Sequence, residues 1–259
     1  MKLKLVPART GFTWVRLGMQ TFFRQPLALA GLFFMFMALM TIATTVPLIG
    51  LPLAMTLLPA VTLGLMAASK EATLGRFPMP LTLLSGFRAG RKKTRALLTL
   101  GGLYAAGFMA AMGGSYLVDG GDFARMYLGG QAPTGELLGS DAFQAAMWVF
   151  IGLHLPLSLL FWHAPALVYW QDLPPVKSMF FSIVACFRNL LALIVFAGSW
   201  MGVMVVAVLG VGALSSMLDA PGLTSAMLMP VLMLVAAMFF TSLYFSYRDS
   251  FDMADETTG

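Results

Sequence analysis

Residues 26–69 read PLALAGLFFMFMALMTIATTVPLIGLPLAMTLLPAVTLGLMAAS, 44 positions without one Asp, Glu, Lys, Arg or His. A charged side chain at the centre of a bilayer costs about 2.5 to 3.5 kcal/mol, so a run this clean is a membrane-embedded segment. As one helix rising 1.5 Å per residue it would be about 66 Å long, twice a hydrocarbon core of ~30 Å. The run is therefore read as two helices, with Pro47, Gly50 and Pro52 supplying the turn between them.

The same reading applied outward finds four more charge-free stretches, at 96–118, 142–171, 189–218 and 220–247, and so six spans. Charge placement tests that count independently. Six spans put segments 1–25, 70–95, 172–188 and 248–259 on one side of the membrane, and these hold 15 of the 16 Lys and Arg residues. Only Arg125 falls on the other side. If 26–69 were a single span the split would be 6 against 10, so the bias selects six spans with both termini in the cytoplasm. Asp119, Asp122, Glu136 and Asp141 lie in the one sizeable extracytoplasmic loop, residues 119–141, and Asp219, Pro221 and Gly222 mark a tight turn before the last span.

Composition agrees. Hydrophobic residues make up 59% of the 259 positions and charged ones 10%, where a soluble domain carries about a quarter charged. A separate water-soluble domain has no room, and residues 1–259 read as one membrane domain. The net charge of +5 sits in short blocks between spans, the placement that topology demands, so no nucleic-acid partner is expected. Residues 1–25 have no apolar core before Pro26 and do not read as a cleavable signal peptide. A lone cysteine, Cys186, rules out an intramolecular disulfide and is expected to be a reduced, half-buried thiol on the cytoplasmic side.

A repeat underlies the spans. Phe12, Val15, Met19, Phe22 and Phe23 recur at helical spacing opposite Thr13, Arg16, Gln20 and Arg24, the pattern of an amphipathic helix. Val176, Met179, Phe180, Ile183, Val184 and Phe187 repeat it opposite Lys177, Ser178 and Ser182, and Leu81, Leu84 and Phe87 come after Pro80 in the middle of the chain. Each segment ends in Phe-Arg (23–24, 87–88, 187–188) and is followed by two spans. The fold class expected is all-α: an integral membrane bundle of three transmembrane hairpins, each preceded by an amphipathic cytoplasmic interfacial helix. The units are 1–69, 70–171 and 172–247, with a cytoplasmic tail at 248–259. Pro59-Ala60 and Pro165-Ala166 recur in the second helices of the first two units.

Ionisable residues within spans are the default pointers to function, and only His154 and His163 qualify. Nine positions apart, they lie about half a turn out of phase on one helix, which disfavours a shared metal or proton-relay site. His163 reads as structural, and His154, near mid-span, as the better candidate for an intramembrane polar site. Arg88, Arg91, Lys92, Lys93 and Arg95 crowd the start of the third span. They set topology and are the candidate contact for anionic lipid, each gaining about 1 kcal/mol near an anionic leaflet. Gly198 and Gly202 form a GxxxG pair, and Gly107, Ala110, Ala111 and Gly114 a second small-residue series, expected to pack the bundle or to form a dimer face. The 21 methionines are dispersed, so apolar filling is expected and no metal or cofactor. No phosphate loop, nucleophile elbow or HExxH motif is present, and an enzyme is not expected.

Val6-Pro7-Ala8-Arg9, Trp14-Val15-Arg16, residues 24–29 (RQPLAL), residues 164–168 (APALV), Leu173-Pro174-Pro175 and Ser246-Tyr247-Arg248-Asp249 resemble an uncharacterised family of proteobacterial polytopic inner-membrane proteins with no assigned activity, along nearly the whole chain. The resemblance implies an inner-membrane location and this topology, and it carries over no catalytic or binding residue. The leading expectation is a non-catalytic protein acting through lipid or protein-partner contacts at its cytoplasmic face, the candidate partners being anionic lipid, another membrane protein or a second copy of the chain. The alternative is a transporter of a small molecule, ion or lipid, which the lack of a carboxylate within the spans disfavours.

Overall fold

The computed structural model describes residues 2–130, 132 and 134–251, so the tail expected at 248–259 lies outside the described residues from position 252 onward. The chain is all-α. In order come α1 (Thr10–Arg24), α2 (Pro26–Thr44), α3 (Gly50–Thr73), a 3-10 turn (Pro80–Leu84) running into α4 (Ser85–Arg88), and α5 (Arg91–Asp119). Next are α6 (Asp122–Gly129), α7 (Gly135–Gly139), α8 (Asp141–Phe161), α9 (Ala164–Gln171), α10 (Pro175–Arg188), α11 (Leu190–Met217) and α12 (Pro221–Ser250). Six candidate spans result: α2, α3, α5, α8 with α9, α11, and α12. Large apolar side chains such as Trp148, Leu155, Met201, Val206 and Leu209 stand exposed along them, a surface that only lipid covers at no cost.

The first turn falls where expected. The chain leaves α2 after Thr44, Leu48 takes a left-handed conformation (φ 66°), and α3 starts at Gly50. A side chain at Gly50 would put its Cβ 2.3 Å from the Thr44 carbonyl oxygen, so only glycine lets the chain fold back this closely.

Two compact units are formed, one from residues 1–39, 60–91 and 184–259, the other from 40–59 and 92–183. Every repeat unit of the sequence contributes to both, because each packs its pieces against partners remote in the chain.

In the first unit α1 is seated against α11 and α12. Glycines make the approach possible: a Cβ at Gly11 would lie 2.0 Å from the Ala192 carbonyl oxygen, and one at Gly18 would lie 2.4 Å from the Ser242 Cβ. Trp14 is wholly buried between them, its indole N–H donating to the Asp249 carboxylate at 2.9 Å and its ring meeting Phe196 edge-on at 5.9 Å. The other Asp249 oxygen accepts from Arg248 Nε at 2.8 Å. Above α1 the N-terminal segment is laced down. The Val6 N–H donates to the Asn189 side-chain oxygen, Asn189 Nδ2 donates to the Lys4 carbonyl, and the Lys4 N–H donates to the Ser250 carbonyl. A clasp therefore ties residues 4–14 to the start of α11 and the end of α12, which lie side by side.

The middle interfacial segment is shorter than its pattern predicts. Pro78 and Pro80 withhold two amide donors, and Gly86 and Gly90 lower the helix propensity of the residues up to α5, so a 3-10 turn and one helical turn take the place of a helix. The turn is held by the Thr82 hydroxyl donating to Glu71 at 3.2 Å and by Gly64, whose Cβ would fall 2.1 Å from the Leu83 carbonyl oxygen.

In the second unit α5, α6 and α8 meet through rings: Phe123, Tyr127 and Phe150 lie with centroids 5.2 to 5.7 Å apart, and Phe108 joins them edge-on to Phe150 at 5.9 Å. Gly107 and Gly114 receive Leu157 and Leu153 of α8, and Gly101 receives the Thr56 backbone of α3. This small-residue series does pack the bundle. Gly198 and Gly202, in contrast, have open space around them.

The fourth span is broken rather than bent. Pro165 lacks a donor and its ring crowds the carbonyl of residue 161, which ends α8 at Phe161 and restarts the helix at Ala164. The Ser182 hydroxyl of α10 bridges the break, accepting from the His163 N–H at 2.9 Å and donating to the Leu159 carbonyl at 2.8 Å. A side chain inserted into the helical ladder is one of the recognised causes of a sharp kink. Ser182→Ala takes the bridging hydroxyl from the buried His163 amide and the half-buried Leu159 carbonyl, at about 1 to 3 kcal/mol in all. Thermal unfolding in detergent should show a loss of roughly 2 kcal/mol, and an unchanged melting curve would refute the bridging role.

Candidate functional site

The basic block opens α5. Arg91, Lys92, Lys93 and Arg95 occupy four of its first five positions, Arg88 closes α4 just before them, and no acidic residue lies in the first turn. A helix N-terminus carries about half a positive charge, so cations there are disfavoured by about 0.3 to 1 kcal/mol each. Only Lys93 is compensated: its amine donates to the Tyr169 carbonyl at 2.8 Å, stands 3.5 Å from Asp172 and lies over the Tyr169 ring at 5.3 Å. Arg88, Arg91, Lys92 and Arg95 have no acidic partner among the described residues. Asp172, which caps α9 in a left-handed conformation (φ 54°), holds the start of α5 beside the end of α9. Lys92 and Lys93 thus form a basic corner with the end of α9, where Asp172 is the single carboxylate among the described residues, and Arg88, Arg91 and Arg95 flank them in the sequence.

The two histidines are not brought together. His154, on α8, stacks on Phe150 at 5.0 Å and 10° and meets Phe108 edge-on at 5.8 Å, as part of the ring cluster. Its buried Nδ1 has no hydrogen-bond partner among the described residues. His163 caps α9 on the far side of the break, and its side chain is buried rather than set at an interface. Among the described residues no three His, Cys, Asp or Glu side chains converge as a metal site would need.

The amphipathic segments distribute their faces in a way the pattern does not reveal. On α10 the buried stripe is Ser178, Ser182, Ala185 and Cys186, while Val176, Phe180 and Phe187 are exposed. Cys186 is therefore fully rather than half buried. On α1, Val15 and Phe22 face inward with Gly11, Trp14 and Gly18, and Phe12 and Phe23 face outward. Leu81 and Leu84 are exposed on the middle segment. Thus α10 holds the protein with small or polar residues, α1 with Trp14, Val15 and Phe22 beside its glycines, and the middle segment with Thr82, Leu83 and Gly86, and all three offer other aromatic or aliphatic residues outward, near Arg24, Arg88 or Arg188 in the sequence.

A probable inner membrane protein of Burkholderia thailandensis is 36% identical to this chain over 258 residues, covering 98% of this chain and 96% of that protein. The chain belongs to that protein's family. It is a multi-pass membrane protein of the polytopic kind its motifs resemble. No family model matches it, and no solved structure does. Several of those motifs converge in space: Val6, Trp14 and Asp249 belong to the clasp, and Leu173-Pro174-Pro175 forms the corner between α9 and α10 that borders the basic block.

Proposed function

We propose that this is a non-catalytic inner-membrane protein, with both termini cytoplasmic, that works by engaging anionic phospholipid at its cytoplasmic face. The observation that carries the reading is the accumulation of Arg91, Lys92 and Arg95 at the positive end of α5, beside Arg88, without counter-ions among the described residues. The protein tolerates this arrangement at its own expense, and an anionic head group removes the penalty while supplying about 1 kcal/mol per cation. Supporting it are the 15-to-1 division of Lys and Arg between the two sides and the outward Phe12, Phe23, Phe180 and Phe187, which sit beside arginines as residues of a membrane interface do.

The test compares wild type with Arg88→Gln/Arg91→Gln/Arg95→Gln, which keeps 12 of the 15 cytoplasmic cations and so the topology. Both are reconstituted in phosphatidylcholine vesicles containing a minority of fluorescent phosphatidylglycerol, and enrichment of the label around the protein is read by energy transfer from tryptophan. Wild type should enrich the anionic lipid about fivefold or more over a zwitterionic probe, with the preference falling as salt rises. The triple variant should lose most of it. Equal enrichment by both proteins would overturn the reading.

A further inference from the structure

The basic corner borders a half-open cavity of about 260 Å³. It is lined by Lys92, Lys93 and Ala96 of α5, by Val168 of α9, and by residues 172–175 just after α9. A water takes ~30 Å³ of liquid, while sites for drug-sized molecules start near ~300 Å³, so the space suits a head group rather than a whole metabolite. Lys93 is already engaged by the Tyr169 carbonyl and Asp172 and serves as part of the wall. Lys92 is exposed, lines the same space and has no acidic partner among the described residues. Two lysines against one carboxylate leave the cavity with one uncompensated positive charge, above a floor of Ala96, Val168 and Leu173.

That combination discriminates among anions. Inorganic phosphate is a mixture of monovalent and divalent ions near neutral pH and has no apolar part to place on the floor. A phosphodiester carries one negative charge and, in a glycerophospholipid, joins directly to glycerol and acyl methylenes. The site lies where α5 begins and α9 ends, at the mouths of two spans, where lipid head groups are found. The geometry points to a binding site for one glycerophospholipid head group, with Lys92 taking the phosphodiester and Ala96, Val168 and Leu173 taking the glycerol and first methylenes. This rests on the lipid reading of the basic corner but adds a bound, stoichiometric lipid to a general attraction.

Native mass spectrometry of the detergent-purified full-length chain, titrated with phosphatidylglycerol, tests it. Wild type should retain one lipid through the dilution that strips the others. Lys92→Gln, removing a charge-assisted hydrogen bond, and Ala96→Phe, filling the floor, should each weaken that lipid about tenfold, whereas Lys92→Arg should keep it. Arg88→Gln/Arg91→Gln/Arg95→Gln should keep the single tight lipid and lose only the weaker ones. If Lys92→Gln and Ala96→Phe bind like wild type while the triple variant loses enrichment, the cavity proposal is wrong and the general lipid reading stands. If none of the variants differs from wild type, both fail. Displacement of the tight lipid by millimolar inorganic phosphate would make the site one for a free ion and overturn the lipid assignment.

Discussion

Replacing Gly11 with leucine should detach the N-terminal helix and lower stability by about 3 kcal/mol or more. The reason is the identity of the atoms that the new side chain would meet. At 2.0 Å from the Ala192 carbonyl oxygen and 2.7 Å from the Phe196 amide nitrogen, even the Cβ collides with backbone, which has no rotamer to yield. Overpacking where side chains can adjust costs about 1 to 3 kcal/mol. Here α1 as a whole must move, withdrawing Trp14, Val15 and Phe22 from burial, so about 3 kcal/mol or more is expected. That corresponds to a fall of roughly 6 to 12 °C in the unfolding midpoint for a chain of this size. Gly18→Leu should act in the same direction through Ser242. Gly198→Ala is the control: nothing lies within 4 Å of its Cβ position, and alanine favours the helix by up to about 1 kcal/mol. Equal melting points for Gly11→Leu and wild type would refute the seating of α1 against α11.

The second large effect is expected at Trp14. Truncation to alanine empties the space of a fully buried indole, at about 3 to 5 kcal/mol, and leaves Asp249 without its indole donor. Trp14→Phe keeps most of the apolar volume and the edge contact with Phe196 but loses the hydrogen bond to a carboxylate, about 1.5 to 3 kcal/mol. Thermal unfolding of the two purified variants should therefore rank alanine well below phenylalanine. Coincident curves would show that the hydrogen bond, and not packing, carries the residue's contribution.

These sites differ in how visible they are in the chain. The glycines at 107 and 114 were legible as a packing series, because small residues at helical spacing have few other uses within a span. Gly11 and Gly18 carry no such mark, since their partners lie on helices far along the sequence. The bond from Trp14 to Asp249 crosses 235 positions and that from Lys93 to Tyr169 crosses 76, and no local pattern encodes either. The basic block itself was plain, but not that, among the described residues, only its Lys93 has an acidic partner. On α10 the pattern sets Ser178 and Ser182 opposite the apolar stripe but does not say that they are the buried side. Where the surroundings are lipid, the exposed side is the apolar one, and Ser178, Ser182 and Cys186 turn inward to satisfy and pack against backbone.

The amino-acid sequence by itself determined the number and position of the spans, the turn at residues 45–49 and the clustering of cations. Each comes from free energies that depend on the composition of a short segment: insertion of apolar residues, exclusion of charge, and the stereochemistry of proline and glycine. Only the tertiary structure decided how α1 is seated, how Ser182 mends the break before Pro165, and which lysine of the corner is left without a counter-ion. Those outcomes depend on distances between atoms that the chain brings together only after its helices have formed.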